Sequence, residues 1–467
     1  MTALTDPPPR LLSRSLLLVS AVDVLGLTAF YALLPVVPAA MAASGAGGAA
    51  AGLTTGVLMA STVAAELVLP RVVARFGYRA VVAAGLLLLG LPALGLTATT
   101  AFGAVLAVCA LRGIGAATIF VACGAWSAQL LPPGRRGEGL GLVGFVSGVP
   151  AVVGMPAGLW LAAHAGFPTA YATGAVLALT ALLALPLLPG TDGVTRRPPA
   201  PPDADGVTHR PPSPPDADRV THRPPSPPDA DRVTRRPPSP SGADDRDAGG
   251  TTRGVPSPPG ADGRAADGMN RGLPSPAADG MMRALREPVL TRPAIVFGGA
   301  CTLAGIVATF LPAALPHAGA GVVATALLLQ ALTGTVTRWW AGRVGDRVGP
   351  RRLLAPAMLA ATAGFAGLAV TDRPVAVLAA AVVFGTGFGA LQTASLAVML
   401  DAAPPERYGT ITALWSVAYD GGLGVGAAGF GLLATATGYP AGFAVTAALA
   451  ATTLLALRRR TVRVRAT

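Results

Sequence analysis

Five ionisable residues stand inside long apolar stretches of the chain: Asp23, Glu66, Arg112, Arg338 and Asp420. In hydrocarbon an Asp or Arg costs about 2.5–3.5 kcal/mol on insertion scales, so each needs a use or a partner. Asp23 lies nine residues past Arg14, about 13 Å along a helix rising about 1.5 Å per residue. Arg112 lies ten residues inside the opposite limit of its own stretch. Those depths put both near the midplane, where a carboxylate beside a guanidinium takes up and releases a proton as the pair breaks and forms. A static structural pair is the other reading. Asp420 sits in Tyr419-Asp420-Gly421-Gly422, among small residues that let water or another helix approach. It reads equally as a coupling site or an interhelical hydrogen bond. Glu66 and Arg338 lie toward the ends of their stretches, as an inner gate or as side chains snorkelling to the interface. Gln330 and Gln392 are uncharged candidates for substrate hydrogen bonds.

Helices that cross a bilayer must position these groups. A span needs about 20 mostly apolar residues. Six stretches qualify near 15–40, 50–70, 80–98, 102–130, 140–163 and 167–189, and six more near 292–315, 319–341, 352–371, 374–400, 408–437 and 439–457. The expected fold is therefore all-α, a polytopic membrane protein of 12 transmembrane helices in two six-helix halves. The first stretch is too long for the apolar core of a cleavable signal peptide.

Composition agrees. Of 467 residues, 52% are hydrophobic and 12% charged, against about 25% charged in an average soluble domain. The 35 residues of the Lys+Arg count are all Arg. With the N-terminus in the cytoplasm, Arg71, Arg75, Arg79, Arg135, Arg136, Arg343, Arg347, Arg351, Arg352 and the Arg-rich C-terminal tail fall inside, and the outer loops carry Arg373 alone. Cytoplasmic loops retain positive charge, so both termini are expected on the cytoplasmic side of the cell inner membrane. The net charge of +12 thus reports topology, and no nucleic-acid partner is read from it.

Residues 191–290 differ in kind and divide the chain into an N-terminal half, 1–190, and a C-terminal half, 291–467. A 13-residue repeat beginning at Val194 recurs from Val207, Val220 and Val233, rich in Pro, Asp and Arg. No apolar face can form from it, so a disordered cytoplasmic linker is expected. Recognition by a proline-binding protein partner is the sharper alternative. The segment Met281–Arg286 reads as a short surface helix leading into span seven.

The loop after span eight reads Gly342-Arg343-Val344-Gly345-Asp346-Arg347-Val348-Gly349-Pro350-Arg351-Arg352. Its counterpart after span two reads Pro70 to Arg79, keeping Arg75, Gly77 and Arg79 but carrying Ala74 where the acidic residue would stand. Gly349 suits a tight turn, and Asp346 can cap or pair with an Arg across the interface between halves. Leu34-Pro35-Val36-Val37-Pro38 ends the first span, Arg112-Gly113-Ile114-Gly115-Ala116 lies in the fourth, and Gly144, Gly148, Gly154, Pro156 and Gly158 line the fifth. Together these motifs resemble those of the major facilitator superfamily, with its gating loops after helices two and eight, its fourth-helix Arg motif and its fifth-helix antiporter motif. The look is closest to the drug and sugar efflux permeases. The resemblance covers both halves and implies a pseudo-two-fold relation between them. It also implies alternating access and export of a small organic metabolite or drug by proton antiport. A proton-coupled or facilitative importer of the same fold is the first alternative. A non-transporting sensor or scaffold signalling through the Pro-rich segment is the second.

Other chemistries find no support. Gly424-Val425-Gly426-Ala427-Ala428-Gly429 is formally a dinucleotide fingerprint, but it follows no strand and reads as close helix packing. There is no Walker motif and no Lys to build one. Cys109, Cys123 and Cys301 lie scattered in apolar stretches without metal-ligand spacing. No enzyme activity, cofactor or metal is expected. The anticipated partners are a small-molecule substrate, protons and lipid.

Overall fold

The computed structural model describes residues 13–131, 146–188, 281–315, 319–370, 372–404 and 407–457. The expectations for the Pro-rich segment, for Gly144 and for the C-terminal tail lie outside them. The described residues form helices and no strand. Helix α1 (Arg14–Leu33) starts on Ser13, whose side chain accepts from the Leu16 N–H at 3.1 Å. Pro35 interrupts it, and α2 (Val36–Ala43) completes the first span. Helix α3 (Gly47–Gly95) is two spans in one run, 47–76 and 78–95, turned at Gly77. Then follow α4 (Phe102–Leu130), α5 (Val149–Ala165) and α6 (Phe167–Ala181), the last extended by a 3-10 turn to Leu187. The second half holds α7 (Pro288–Ala314), α8 (Ala320–Val348), α9 (Leu354–Gly367), α10 (Pro374–Asp401), α11 (Tyr408–Thr437) and α12 (Tyr439–Thr452). Helices stand at all twelve expected places, six in each half, the fifth described only from residue 146 and α9 only 14 residues long.

Glycine placement makes the two halves equivalent. Gly158 of α5 abuts Ala32 of α1, and Gly426 of α11 abuts Thr302 of α7. Gly113 of α4 lies on Leu58 of span two, as Gly385 of α10 lies on Gln330 of α8. Gly115 meets Gly85 in span three, and Gly387 meets Ala361 in α9. At each of these positions a Cβ would collide with backbone, so helix axes approach closely, as small-residue membrane interfaces do. Two glycines of the Gly424–Gly429 run, expected to serve close helix packing, pack on different halves. Gly426 faces α7, whereas Gly424 faces Met59 of span two in the other half. Both loop motifs also turn on the corresponding glycine: Gly77 has φ 76° and Gly349 has φ 88°. That is left-handed backbone which a residue with a Cβ adopts only with strain.

The bundle has a near end, where α1 begins, and a far end, where span two begins. At the far end the halves are sealed. Gly48 meets Gly431, Gly52 meets Ala427, and Gly56 meets Ala428. Thr309 of α7 donates to the Thr55 hydroxyl of span two at 3.0 Å.

Residues 281–284 form the expected short helical turn before α7, with Ala284 packed against Leu290, Met399, Ile411 and Leu414. Beside it Arg407 donates to both carboxylate oxygens of Glu287, at 2.8 and 3.2 Å. That hydrogen-bonded guanidinium holds the Glu287 carboxyl below its ordinary range. A depressed carboxyl stabilises the fold above its unfolded pKa, and the contribution fades as pH falls through the folded value. Thermal unfolding of wild type and Arg407→Gln should therefore differ at neutral pH and converge under acid. A difference that persists in acid would contradict the pairing.

Candidate functional site

A cavity of about 40 Å³ lies between the halves at mid-depth, room for only a few waters. The first half supplies Phe30 and Tyr31 of α1, Met59 of span two, Phe120 of α4 and Met155 of α5. The second supplies Ala304 and Ala308 of α7, Gln330 of α8, Phe388 of α10, and Tyr419 and Asp420 of α11. Aromatic rings crowd its walls. Phe297 stacks on Trp415 at 4.7 Å, Trp415 on Tyr419 at 5.8 Å, and Phe384 on Phe388 at 5.8 Å. Across the cavity Phe30, Tyr31 and Phe120 meet edge to face. Aromatics are only 5% of the chain, a share that made a stacked-aromatic pocket less expected, yet the rings converge here. The signal was available in the i, i+4 pairs Phe384/Phe388 and Trp415/Tyr419, which place two rings on one helix face.

The polar groups are few. Asp420 is 6% exposed and Gln330 is 9% exposed. Gln330 Oε1 has no hydrogen-bond partner among the described residues, leaving that oxygen able to accept from a solute. Gln392 does not reach this cavity. It lines a separate groove toward the near end, with Arg338, Thr393 and Trp415. There Thr393 donates to the Arg338 carbonyl at 3.1 Å, and Trp415 Nε1 donates to Ser395 at 3.0 Å.

Asp23 and Arg112 are not brought together. Asp23 accepts from the Ser147 hydroxyl at 2.8 Å, which ties α1 to the approach of α5, and it does not line the cavity. Arg112 is 1% exposed and reaches the Ala29 carbonyl at 3.4 Å. Ala29 is six residues further along α1 than Asp23, about 9 Å at about 1.5 Å per residue. The expected pairing fails because depth was counted from opposite ends of spans longer than the hydrocarbon core. The first span runs Arg14–Ala43, 30 residues, so 13 Å from one end and 15 Å from the other do not meet over roughly 45 Å. Arg112 instead sits beside Thr54, Thr55 and Pro38, under the far-end seal. Among the described residues it has no ion pair, and its Nε has no partner.

The loop motif also departs from expectation. Asp346 is exposed, with no ion pair or side-chain hydrogen bond among the described residues. The closest glycine contacts between halves lie at the far end, and among the described residues the near-end loop meets no cross-interface Arg. Arg347 and Arg351 are exposed, and Arg75 lies over the Phe76 ring at 5.4 Å. Arg79 follows the Gly77 turn half-buried, and Gly342 faces Thr393 of α10. In α5, Gly154 and Gly158 press against α1 at Thr28 to Ala32, Gly148 caps the helix, and Pro156 lies within it. Glu66 and Arg338, equivalent under the repeat, have different surroundings. Arg338 lies at the near-end groove, whereas Glu66 is half-buried on span two with its Oε2 unpartnered among the described residues.

Known proteins share this architecture. The nucleoside transporter NupG superposes in two crystal structures. The point-mutant form gives TM-score 0.64 at 13% identity, covering 96% of this chain and 100% of that one. The other gives TM-score 0.63 at 11% identity, covering 95% and 98%. The xylose transporter XylE from E. coli, in a partially occluded inward open conformation, superposes with TM-score 0.61 at 12% identity, covering 95% and 97%. At such identities the likeness is one of fold. No curated protein sequence matches the chain. The family model of the Major Facilitator Superfamily matches residues 19–427 and again 294–467. With twelve spans in two equivalent halves around a central cavity, the chain belongs to the Major Facilitator Superfamily and is a multi-pass membrane transporter.

Proposed function

We propose that the protein exports a small, partly aromatic organic molecule by alternating access, driven by protons entering in exchange. The observation that supports this most is the central cavity, closed toward the far end and walled by stacked aromatics around Asp420 and Gln330. Rings offer flat apolar surface to an amphipathic or aromatic solute. The Gln330 amide gives it orientation, and Asp420 is the carboxyl whose protonation can be exchanged against binding. Asp23 and Arg112 stay in the proposed coupling machinery as groups that hold α1 against α5 and α4. The fifth-helix glycines support export, since they resemble the antiporter motif. In this reading the near end is cytoplasmic, both termini lie inside, and the halves face inward.

A second reading is an importer of a polar metabolite. The structural neighbours named for nucleoside and xylose transport favour it. The test is flux in proteoliposomes with an imposed pH gradient, against a panel of aromatic organic compounds, nucleosides and sugars. Export requires uphill movement of at least one aromatic compound that reverses when the gradient is reversed. Movement of nucleosides or sugars only, indifferent to the gradient, overturns antiport in favour of the second reading.

A further inference from the structure

A groove of about 650 Å³ runs along the first half, lined by span two, span three and α4 and by nothing from the second half. Ser61, Ala65, Val68, Val72 and Phe76 form one stripe along span two, and Ala84 lies opposite on span three. Val68 and Phe76 are exposed, so the groove opens at the surface of the bundle. From Ser61 to Phe76 is about 22 Å of helix at about 1.5 Å per residue. One leaflet is half of a hydrocarbon core about 30 Å thick, so the groove is long enough for an extended acyl chain. Its wall asks for no polar partner. The Ser61 hydroxyl donates to the Leu58 carbonyl at 2.8 Å, and the Thr118 hydroxyl donates to the Ile114 carbonyl at 2.7 Å.

The mouth of the groove, at the near end, is basic. The Arg75 guanidinium lies 5.4 Å from the centroid of the Phe76 ring, which is itself groove wall. Arg71 stands one turn before it on the same helix, and Arg79 follows the Gly77 turn. Among the described residues none of the three makes an ion pair. The sequence holds no Asp or Glu between Glu66 and Glu138, and Ala74 stands where the second-half motif has Asp346. Like charges at i, i+4, as Arg71 and Arg75 are, repel along a helix, so an anion placed here relieves them. Beside them Tyr78 stacks on Trp126 of α4 at 5.8 Å, an aromatic pair of the kind that sits at headgroup level. Gln129 donates to the Tyr78 hydroxyl at 2.7 Å, which leaves the phenol proton for a further acceptor.

We propose that this groove seats one anionic phospholipid from the leaflet at the near end. An acyl chain lies along Ser61 to Phe76, and the phosphate rests against Arg71, Arg75 and Arg79. A chain gains no hydrophobic free energy by leaving other lipid, so the groove alone takes any lipid. The charge at its mouth selects the anionic one, each arginine by about fivefold. The second half lacks these terms. Under the repeat Val68 corresponds to Trp340 and Ala74 to Asp346. Arg343, the counterpart of Arg71, lies over the Trp339 ring at 3.5 Å and is engaged there.

The test is native mass spectrometry of the full chain, released from micelles holding equal amounts of phosphatidylglycerol and phosphatidylcholine. The expected result is one retained phosphatidylglycerol per chain, preferred over phosphatidylcholine by about a hundredfold for three arginines. Replacing Arg71, Arg75 and Arg79 together by Gln should erase the preference. Replacing the same three by Lys should keep it, which separates charge from misfolding. Replacing Arg343, Arg347 and Arg351 of the second-half loop by Gln should leave it unchanged. Ala84→Phe, which fills the groove and keeps the arginines, should lose the retained lipid. Equal retention of the two lipids overturns the proposal. So does equal loss in the two glutamine triples, which would make binding a general response to basic loops. Unchanged retention in Ala84→Phe also overturns it, leaving a headgroup contact without the groove. A dimer that Ala84→Phe breaks would give the groove to a second copy of the chain and overturn it too.

Discussion

Gly52→Leu should abolish transport by keeping the far ends of the two halves from closing. A Cβ at Gly52 collides with the Ala427 carbonyl of the opposite half and comes within 3.2 Å of Phe310. Backbone cannot swing aside as a long side chain can, so relief must come from separating span two and α11. Overpacking of this kind costs about 1–3 kcal/mol, and about 1.4 kcal/mol is tenfold in an equilibrium. The sealed state should therefore lose about ten- to a hundredfold in population, while each half, whose internal packing is untouched, remains folded. Labelling of a cysteine at Thr435 by a membrane-impermeant reagent should quicken accordingly. Gly429→Leu is the matched control. It lies on α11, the helix that carries Ala427, with nothing within 4 Å of its Cβ, and should transport as wild type does. Normal flux in Gly52→Leu would mean that the seal is not part of the cycle.

The pattern of spans was legible in the sequence because each is a long apolar run bounded by Arg, Gly or Pro, and the bilayer allows few other solutions for such a run. The turns at Gly77 and Gly349 were legible because a loop that must take left-handed backbone selects glycine. The site was less so. Asp420, Gln330 and Glu66 could be marked as costly residues, but a sequence gives depth along a helix and not the direction a side chain points. Arg112 and Asp23 share a calculated depth and face different neighbours. Ser147, which holds Asp23, is the one hydroxyl in a glycine-rich segment, but the sequence does not say which helix it faces. The internal repeat says which residues correspond between halves. It does not say which ones meet across them, and the functional contacts of this fold are of the second kind.

Arg112→Met should leave the protein at least as stable and reduce transport by about tenfold or more. Arg112 is fully buried, makes one long hydrogen bond at 3.4 Å and leaves Nε unpartnered. A hydrogen bond to a charged group contributes about 1.5–3 kcal/mol at good geometry, and this one is longer than ideal. Burying the charge costs several kcal/mol after relaxation. The balance therefore favours an apolar side chain of similar length, which methionine supplies with enough flexibility to fill the space against Leu58 and Pro38. A chain that keeps an unpaired guanidinium there retains it against its own stability, which is expected where the charge is used in another state of the cycle. In the far-open state the seal over Thr54 and Thr55 is gone, and Arg112 beneath it becomes reachable from the outer phase. Thermal unfolding and proteoliposome flux on the same preparation decide the matter. A structural role predicts the reverse pattern, a marked fall in unfolding temperature with normal flux in the protein that survives, and that result would remove Arg112 from the transport machinery.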